Sequence, residues 1–146
     1  MKIDTATRAD YPALIALWEA SVRATHHFLP EVEILALKPL ILEHYFDAVT
    51  LHCARTEEGS IAGFCGLCDG KIEMLFVAPA VRGSGVGRRL VEHALSQCGA
   101  TLVDVNEQNE QAVGFYHKMG FAVMGRSPLD GQGKPYPLLH MALPPR

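Results

Sequence analysis

The spacing of apolar residues changes from helical to strand-like at about residue 50. An alternating stretch over residues 2–5 predicts a strand, and Pro12 suits the first turn of a following helix. One apolar stripe then recurs at helical spacing, formed by Leu14, Leu17, Trp18 and Val22. It predicts a helix that reaches residue 23 or 24. Residues 32–49 predict one or two further helices, with an interruption near Pro39.

Three strand-like segments follow, over residues 50–56, 61–69 and 71–77. The pairs Glu58-Gly59 and Asp69-Gly70 separate them and are typical of tight turns. We therefore predict an antiparallel meander of three strands.

The rest of the chain alternates helices with strands. A helix is predicted over residues 85–97, a strand over 102–106, and a short helix that ends at Gly120. The apolar positions of the short helix are Ala112, Phe115, Tyr116 and Met119. Two strands, at about 122–127 and 138–143, complete an α/β unit of order β-αα-βββ-α-β-α-ββ.

The length and charge of the chain limit its organisation and its partners. With 146 residues, 49% hydrophobic and 20% charged, it is long enough for one well-filled core and too short for two ordinary domains. We predict one domain over residues 1–146. A net charge of -3 lacks the basic field that nucleic-acid binding requires, so no nucleic-acid partner is expected. Without an apolar run of roughly 20 residues or an apolar signal core, we expect no membrane partner and a cytoplasmic location.

The cysteines and histidines are not spaced like the ligands of a metal site. Cys65-Gly66-Leu67-Cys68 lies in a predicted strand, where residues three apart point to opposite faces. Cys53 and Cys98 form no second close pair, so buried and inert thiols are predicted. The adjacent His26-His27 cannot easily chelate one ion. We therefore expect no bound metal.

The sequence Arg82-Gly83-Ser84-Gly85-Val86-Gly87 stands between a predicted strand and a predicted helix. Glycines let the backbone approach phosphate oxygens, and the unpaired N–H groups at the start of a helix point at such an anion. Arg82 and Arg88 add positive charge on either side. The alternative is an ordinary glycine-rich turn, because a bare G-x-G-x-G string is weak evidence.

Three kinds of phosphate-binding loop compete for this segment. A P-loop has Lys-Ser or Lys-Thr after its last glycine, where this chain has Arg88-Arg89. A Rossmann loop begins almost at the end of its strand, whereas residues 78–82 intervene here and a meander precedes them. The acyl-CoA loop, Arg/Gln-x-x-Gly-x-Gly/Ala, is satisfied by Arg82, Gly85 and Gly87 as they stand.

Two motifs in this order resemble the GNAT superfamily of N-acetyltransferases. The run Leu75-Phe76-Val77-Ala78-Pro79 is similar to the family's cofactor strand, and Asn109-x-x-Ala112-x-x-Phe115-Tyr116-x-x-x-Gly120-Phe121 is similar to its second signature. The resemblance covers essentially the full length. It implies a single α/β domain with a mixed seven-stranded sheet and helices on both faces. It also implies acetyl-CoA as co-substrate, with direct attack of a primary amine while both substrates are bound.

The resemblance assigns the cofactor to the loop and its neighbours. It implies that backbone N–H groups near Leu75 to Val77 hold the acyl carbonyl, beside a bulge that opens the sheet toward residues 102–106. Asn109 is the predicted cap of the short helix and, by resemblance, also contacts the pantetheine arm. The full predicted cofactor set is Leu75, Phe76, Val77, Arg82, Gly83, Ser84, Gly85, Val86, Gly87, Arg88, Asn109, Ala112 and Tyr116.

Two side chains are predicted to act in catalysis. The resemblance implies that Tyr116 reaches the CoA sulfur, where a phenol pKa of about 10 suits proton donation to a thiolate. Spacing alone favours a core aromatic at this position. Glu73 is the candidate base, through a water, because it is expected to share a strand face with Leu75 and Val77 and to be partly buried. An edge-exposed or salt-bridged Glu73 is an equally good interpretation.

The acceptor side is the least patterned part of the sequence. His26 and Tyr136 are predicted to wall the acceptor site, and His26 is also a candidate base. Asn106, at the end of a strand, is predicted to face the cleft where substrates meet. The acceptor is a small-molecule or peptide amine, with a polyamine, an aminoglycoside and a peptide N-terminus all open. Monomer and homodimer are both compatible with the sequence.

Two other functions remain open. A dinucleotide-binding oxidoreductase would also use a pyrophosphate loop and would bind NAD(P). A catalytically idle CoA-binding or interaction module would share the loop without turnover.

Overall fold

Strands and helices alternate along the chain in the predicted order in the computed structural model, which describes residues 1–144. The strands are β1 (Lys2–Thr5), β2 (Thr50–Arg55), β3 (Ile61–Cys68), β4 (Lys71–Val77), β5 (Leu102–Asn106), β6 (Ala122–Ser127) and β7 (Leu138–Ala142). The α-helices are α1 (Tyr11–Thr25), α2 (Glu31–Leu40), α3 (Val86–Cys98) and α4 (Glu110–Lys118). The order β-αα-βββ-α-β-α-ββ is confirmed.

The strands form one mixed sheet, in the order β1-β2-β3-β4-β5-β7-β6. Neighbouring strands are antiparallel except β4 and β5, which run parallel because α3 connects them. One face packs against α3 and α4, through Leu90, Val91 and Tyr116. The other packs against α1 and α2, through Trp18 and Ile34. The predicted seven-stranded sheet with helices on both faces is confirmed.

The helices before β2 follow the predicted stripe and the predicted interruption. The apolar stripe of α1 is buried against the sheet, from Leu14 to Val22. Pro39 lies inside the last turn of α2, and its ring has no N–H to donate to the preceding turn. The chain continues as a wider π turn over Ile41–Tyr45 and a 3₁₀ turn over Phe46–Ala48. The proline therefore loosens the helix without ending it.

A bulge in β4 opens the sheet. Met74 pairs with Gly66 and Ile72 with Leu67, so Glu73 is an extra residue without a partner on β3. On its other side β4 pairs with β5 only through Lys71 and Ile72. Beyond Ile72 the two parallel strands part, which leaves one edge of β4 without a strand partner.

The same bulge corrects the expectation for Glu73. An extra residue reverses the alternation of side chains, so Leu75 and Val77 share their face with Ile72. Met74 and Phe76 pack on the opposite core. Glu73 is exposed, so the predicted partial burial is wrong.

The four thiols are free, but only two of them are buried. Burial raises the pKa of Cys53 to about 11 and that of Cys65 to about 12. Cys68 is partly exposed, and Cys98 is exposed because it is the last residue of α3. The prediction of buried thiols is therefore wrong for these two. Within residues 1–144, no helix is long and apolar enough to cross a membrane.

Candidate active site

The loop before α3 presents backbone N–H groups to solvent. Gly83 and Gly85 have φ of +80° and +91°, in the left-handed region that favours glycine. Gly85 is also the N-cap of α3, and no side chain of the described residues caps this helix end. The N–H groups of the first turn therefore stay available to a bound anion, with the positive end of the helix dipole behind them.

The side chains of the loop tie it to its surroundings. The Ser84 hydroxyl donates to the Val81 carbonyl at 2.5 Å, which closes the turn. Arg82 donates to Oε1 of Gln111 on α4 at 2.5 Å, and this neutral partner leaves the guanidinium charge uncompensated. Arg88 instead donates to Glu92 at 2.9 Å, one turn further along α3. Arg82 is thus the better placed of the two arginines to meet a phosphate.

A cleft of about 310 Å³ runs from this loop toward α1; we call it the loop cleft. Its walls contain every predicted cofactor residue except Ser84 and Tyr116. The predicted residues that line it are Leu75, Phe76, Val77, Arg82, Gly83, Gly85, Val86, Gly87, Arg88, Asn109 and Ala112. His26, predicted for the acceptor, also lines it, and the predicted site residues did not include five others, namely Ser21, Thr25, Val81, Gln111 and Phe115.

A second, narrower cleft of about 120 Å³ lies where β4 and β5 part; we call it the strand-split cleft. Glu73, Asn106 and Tyr116 line it, and His26 and Leu75 line both clefts. Along a strand, alternate N–H groups point to the same edge, so β4 beyond Ile72 offers backbone donors to this space. The two clefts meet at this unpaired edge.

Tyr116 is a buried aromatic with a protonated hydroxyl. Its ring packs edge-on against Phe115 and Phe121, with centroids 5.1 and 5.5 Å away, and only 5% of the residue is exposed. Burial raises the pKa of Tyr116 well above its ordinary value of 10. An apolar surrounding disfavours the charged phenolate, which is why the pKa rises. Tyr116 is suited to donate a hydrogen bond.

A chain of hydrogen bonds fixes the tautomer of His26. The Thr25 hydroxyl donates its one proton to the Ser21 carbonyl at 2.8 Å. That hydroxyl also lies 2.7 Å from Nδ1 of His26, so Nδ1 must carry the proton and donate to it. The lone pair is therefore on Nε2, which is 3.4 Å from Nδ2 of Asn109. His26 presents an acceptor where the two clefts meet.

The surroundings of His26 keep it neutral. Its ring lies 5.3 Å from that of Phe28 and 6.5 Å from that of Phe76, measured between centroids. Burial, with a smaller effect of His27, lowers the pKa of His26 to about 4. A base this weak accepts a hydrogen bond from an amine but does not take a proton from an ammonium group efficiently.

Two asparagines flank the strand-split cleft. Asn109 caps α4, since its Oδ1 accepts the Ala112 N–H at 3.2 Å, which confirms the predicted cap. Its amide group is turned to His26, so both ends of the side chain are engaged. Asn106 accepts the Gln108 N–H at 2.9 Å and so holds the turn after β5. Its wall position leaves the amide nitrogen for a ligand.

Among the described residues, Tyr136 is not one that lines either cleft. It packs against Phe28 with ring centroids 6.2 Å apart. In the same loop, Lys134 forms an ion pair with Glu33, and Gln132 donates to the Tyr45 hydroxyl at 2.5 Å. The loop between β6 and β7 therefore rests on the segment after α1 and on the helical turns that follow α2.

Sequence reasoning missed a charged group in the strand-split cleft. Asp104 of β5 is bonded to Lys71 at 2.5 Å and to Nδ1 of His140 at 2.7 Å, and Nε2 of His140 lies 2.6 Å from the Ser127 hydroxyl. Burial raises the pKa of Asp104, but the hydrogen bonds from Lys71 and His140 outweigh it and leave the pKa below its ordinary value. The one signal in the sequence was an acidic residue between two buried valines, Val103 and Val105.

A comparison with known families decides what this arrangement is. The model of the acetyltransferase (GNAT) domain matches residues 34–142, which include the loop, α4 and every residue that lines the two clefts except Ser21, Thr25 and His26. The chain belongs to the GNAT family. This GNAT protein is 47% identical to the peptidyl-lysine N-acetyltransferase YjaB of Salmonella typhimurium, over 90% of each chain. It is 49% identical to the YjaB of Escherichia coli, over 88% of this chain and 87% of that one.

Solved structures agree with the family. The solution structure of apo YjaB from Escherichia coli superposes with a TM-score of 0.87 at 45% identity, and the match covers 97% of this GNAT chain and 95% of that chain. An N-acetyltransferase from Thermoplasma acidophilum in complex with coenzyme A shares the fold, with a TM-score of 0.72 at 18% identity over 99% of this chain and all of that one. The protein is an acetyl-CoA-dependent N-acetyltransferase.

The residues of this GNAT enzyme fit the cofactor. The uncapped start of α3 and the two left-handed glycines suit the diphosphate, since a Cβ at Gly83 or Gly85 would meet no protein atom within 4 Å and the space beside them is open. Arg82 supplies charge at the mouth. The unpaired edge of β4 suits an amide-bearing chain that needs backbone partners.

Proposed function

We propose that this enzyme acetylates the ε-amino group of lysine residues in peptides or proteins, by direct attack of the amine while acetyl-CoA is bound. The observation that carries the proposal is the junction of the two clefts at the unpaired edge of β4. The loop cleft fits the thioester donor, and the strand-split cleft opens onto the same backbone edge of β4. The two YjaB relatives are peptidyl-lysine N-acetyltransferases, which supports lysine as the acceptor.

The shape of the strand-split cleft favours an unbranched amine. At about 120 Å³ it is the narrower of the two clefts, and apolar side chains such as Leu75 and Val105 form part of its walls. A lysine side chain has a thin apolar stem and a polar tip, which matches such walls. A bulky aminoglycoside ring would not enter.

The backbone of β4 is proposed to stabilise the charge that develops on the acyl oxygen. Bound acetyl-CoA supplies the acetyl group as an activated thioester. N–H groups on the edge beyond Ile72 are fixed by the sheet before substrate arrives, so they need no reorganisation during the reaction. Donors held in this way are worth about 10²–10³ in kcat in enzymes that use them.

Tyr116 is proposed to donate a hydrogen bond to the sulfur as it leaves. It lines the strand-split cleft next to Ala112 and Asn109, which also line the loop cleft. Its raised pKa keeps the hydroxyl protonated at the working pH, so the donor is always present. The proton that the thiolate finally takes can return through solvent.

His26 is proposed to orient the amine, and Glu73 is proposed to accept its proton. The amine takes the place of the Asn109 amide, which is 3.4 Å away, as the hydrogen-bond donor to Nε2 of His26, and this contact points the lone pair of the amine nitrogen at the thioester. Burial disfavours a positive charge on His26, which lowers its pKa to about 4, so His26 orients the amine and does not hold its proton. Glu73, exposed on the bulge and lining the same cleft, takes the proton through a water.

Release of free CoA thiol tests the proposal. A peptide with a blocked N-terminus and one lysine should release thiol, and the same peptide with acetyllysine should not. Two alternative acceptors are compared with it: a peptide whose only amine is the free α-amine, and a polyamine. Faster turnover with either one would mean that lysine is not the preferred acceptor. Thermal stabilisation by NAD but not by acetyl-CoA would indicate a dinucleotide enzyme. Stabilisation by acetyl-CoA without thiol release from any amine would indicate an idle module.

A further inference from the structure

Three metal-ligand side chains converge at the end of α3 opposite the loop. His52 projects from β2, and His93 and Cys98 lie on the last turns of α3. One ligand atom from each lies within 4.8 Å of the others. The Cys98 sulfur is 3.8 Å from Nε2 of His52, and the two imidazole rings have centroids 5.0 Å apart.

These separations are close to those of a tetrahedral site. Zn–N bonds of about 2.0–2.1 Å and Zn–S bonds of about 2.3 Å place neighbouring ligand atoms about 3.3–3.7 Å apart. The sulfur of Cys98 and Nε2 of His52 are therefore within a few tenths of an ångström of that spacing. Small rotations of these side chains would close the gap.

The chemistry of the three groups suits one class of ion. Imidazole and thiolate ligands select zinc and similar borderline metals over calcium and magnesium, which prefer oxygen. A neutral imidazole and a thiolate each offer a lone pair to such an ion.

We propose that His52, His93 and Cys98 bind one Zn²⁺ or chemically similar divalent ion, with a water in the fourth position. A cleft of about 440 Å³ borders His52 and Cys98, and Cys68 and Asp69 also line it, which leaves room for that water. Two ligands come from α3 and one from β2, so the ion fastens the end of the helix to the sheet. Since α3 rises about 1.5 Å per residue, the site lies about 18 Å from the loop.

This proposal replaces the expectation that no metal binds. The expectation rested on the opposite faces of Cys65 and Cys68, on the absence of a second close cysteine pair and on the adjacency of His26 and His27. The ligands are instead separated by 41 residues between His52 and His93 in the sequence, and only the packing of α3 on β2 brings them together. No spacing motif would reveal such a site.

Cobalt binding to the tag-free, full-length protein tests the site. One Co²⁺ ion should bind per chain and give a near-ultraviolet band from thiolate-to-cobalt charge transfer. Zn²⁺ should displace the Co²⁺ and abolish the band. The band should be lost in Cys98→Ser and weakened in His52→Gln. It should remain in Cys68→Ser, a control that removes the other accessible thiol in the same cleft.

The expected changes in metal affinity and melting temperature are large enough to test the proposal. Loss of a ligand should weaken Zn²⁺ binding by more than the roughly 10–100-fold that loss of an outer partner costs. Zn²⁺ should raise the melting temperature of the wild type and of Cys68→Ser but not of Cys98→Ser. Absence of the band in the wild type, or its persistence in Cys98→Ser, would overturn the proposal. Because Cys98 is exposed, its replacement leaves the fold intact, and acetyl transfer provides an independent check of folding.

Discussion

Nε2 of His26 lies 3.4 Å from Nδ2 of Asn109, which joins the end of α1 to the start of α4 where the two clefts meet. The contact links the residue proposed to orient the amine with the cap of the helix that carries Tyr116. Acceptor and donor sites therefore share one hydrogen-bonded chain, from Ser21 through Thr25 and His26 to Asn109.

Thr25→Val should impair acceptor use. Without the hydroxyl, Nδ1 of His26 loses its partner, and the ring can turn or change tautomer. A net loss of about 1 kcal/mol corresponds to roughly a fivefold lower kcat/KM for the lysine peptide. Steady-state kinetics should show this with an unchanged Kd for acetyl-CoA. Thr25→Ser keeps the hydroxyl and should behave as the wild type; equal defects in both variants would contradict the tautomer argument.

His26 should make stability depend on pH in a defined window. Its pKa is about 4 in the folded protein against an ordinary 6.5, so the unfolded chain binds a proton that the folded chain does not between these values. The free energy of unfolding should therefore fall as the pH drops from about 6.5 to 4, by up to about 3 kcal/mol at about 1.4 kcal/mol per unit.

Denaturant titrations of the wild type and His26→Gln across this range measure the effect. Gln cannot titrate, so the variant should lose this part of the pH dependence whatever its stability at pH 7. Parallel curves for the two proteins would mean that His26 is not held neutral.

Glu73→Gln should lower turnover, mainly below neutral pH, because the amide cannot receive the proton from the amine. Initial rates of thiol release, measured from about pH 6 to about pH 9, give the pH–rate profile. Glu58→Gln, in the turn between β2 and β3, removes an exposed carboxylate far from the clefts and is the matched control. A pH–rate profile that is the same in all three proteins would remove Glu73 from the mechanism.

Gly85→Ala should weaken acetyl-CoA binding and destabilise the fold. The residue has φ of +91°, where an L side chain costs about 1–2 kcal/mol, and the new methyl group would point into the space proposed for the diphosphate. Calorimetric titration and thermal melts measure the two effects. Gly114→Ala in α4 is the control, since its Cβ meets no atom within 4 Å and its φ is not positive. That change should stabilise by roughly 0.5–1 kcal/mol.

The sequence was most informative where one local rule decides the structure. The glycines before α3, the Asn109 cap and the stripe of α1 act within a few residues, so their patterns predict the elements correctly. Together they account for most of the residues that line the loop cleft.

Features that depend on register or on distant packing could not be predicted. The sequence of β4 does not show that Glu73 is a bulge residue. The bulge is defined only by how β4 pairs with Gly66 and Leu67 of β3. The bond between Asp104 and His140 depends on the register of β5 with β7. The meeting of His52 with Cys98 depends on where α3 ends.

The most direct test of lysine acetylation at the junction of the clefts is mass spectrometry of a blocked one-lysine peptide after incubation with acetyl-CoA and either the wild type or Tyr116→Phe. The wild type should add one acetyl group to the ε-nitrogen. The variant should bind acetyl-CoA equally well and react about 10²–10³ times more slowly, as expected for the loss of one donor that stabilises developing charge. An unmodified peptide with the wild type, or full activity in Tyr116→Phe, would contradict the account.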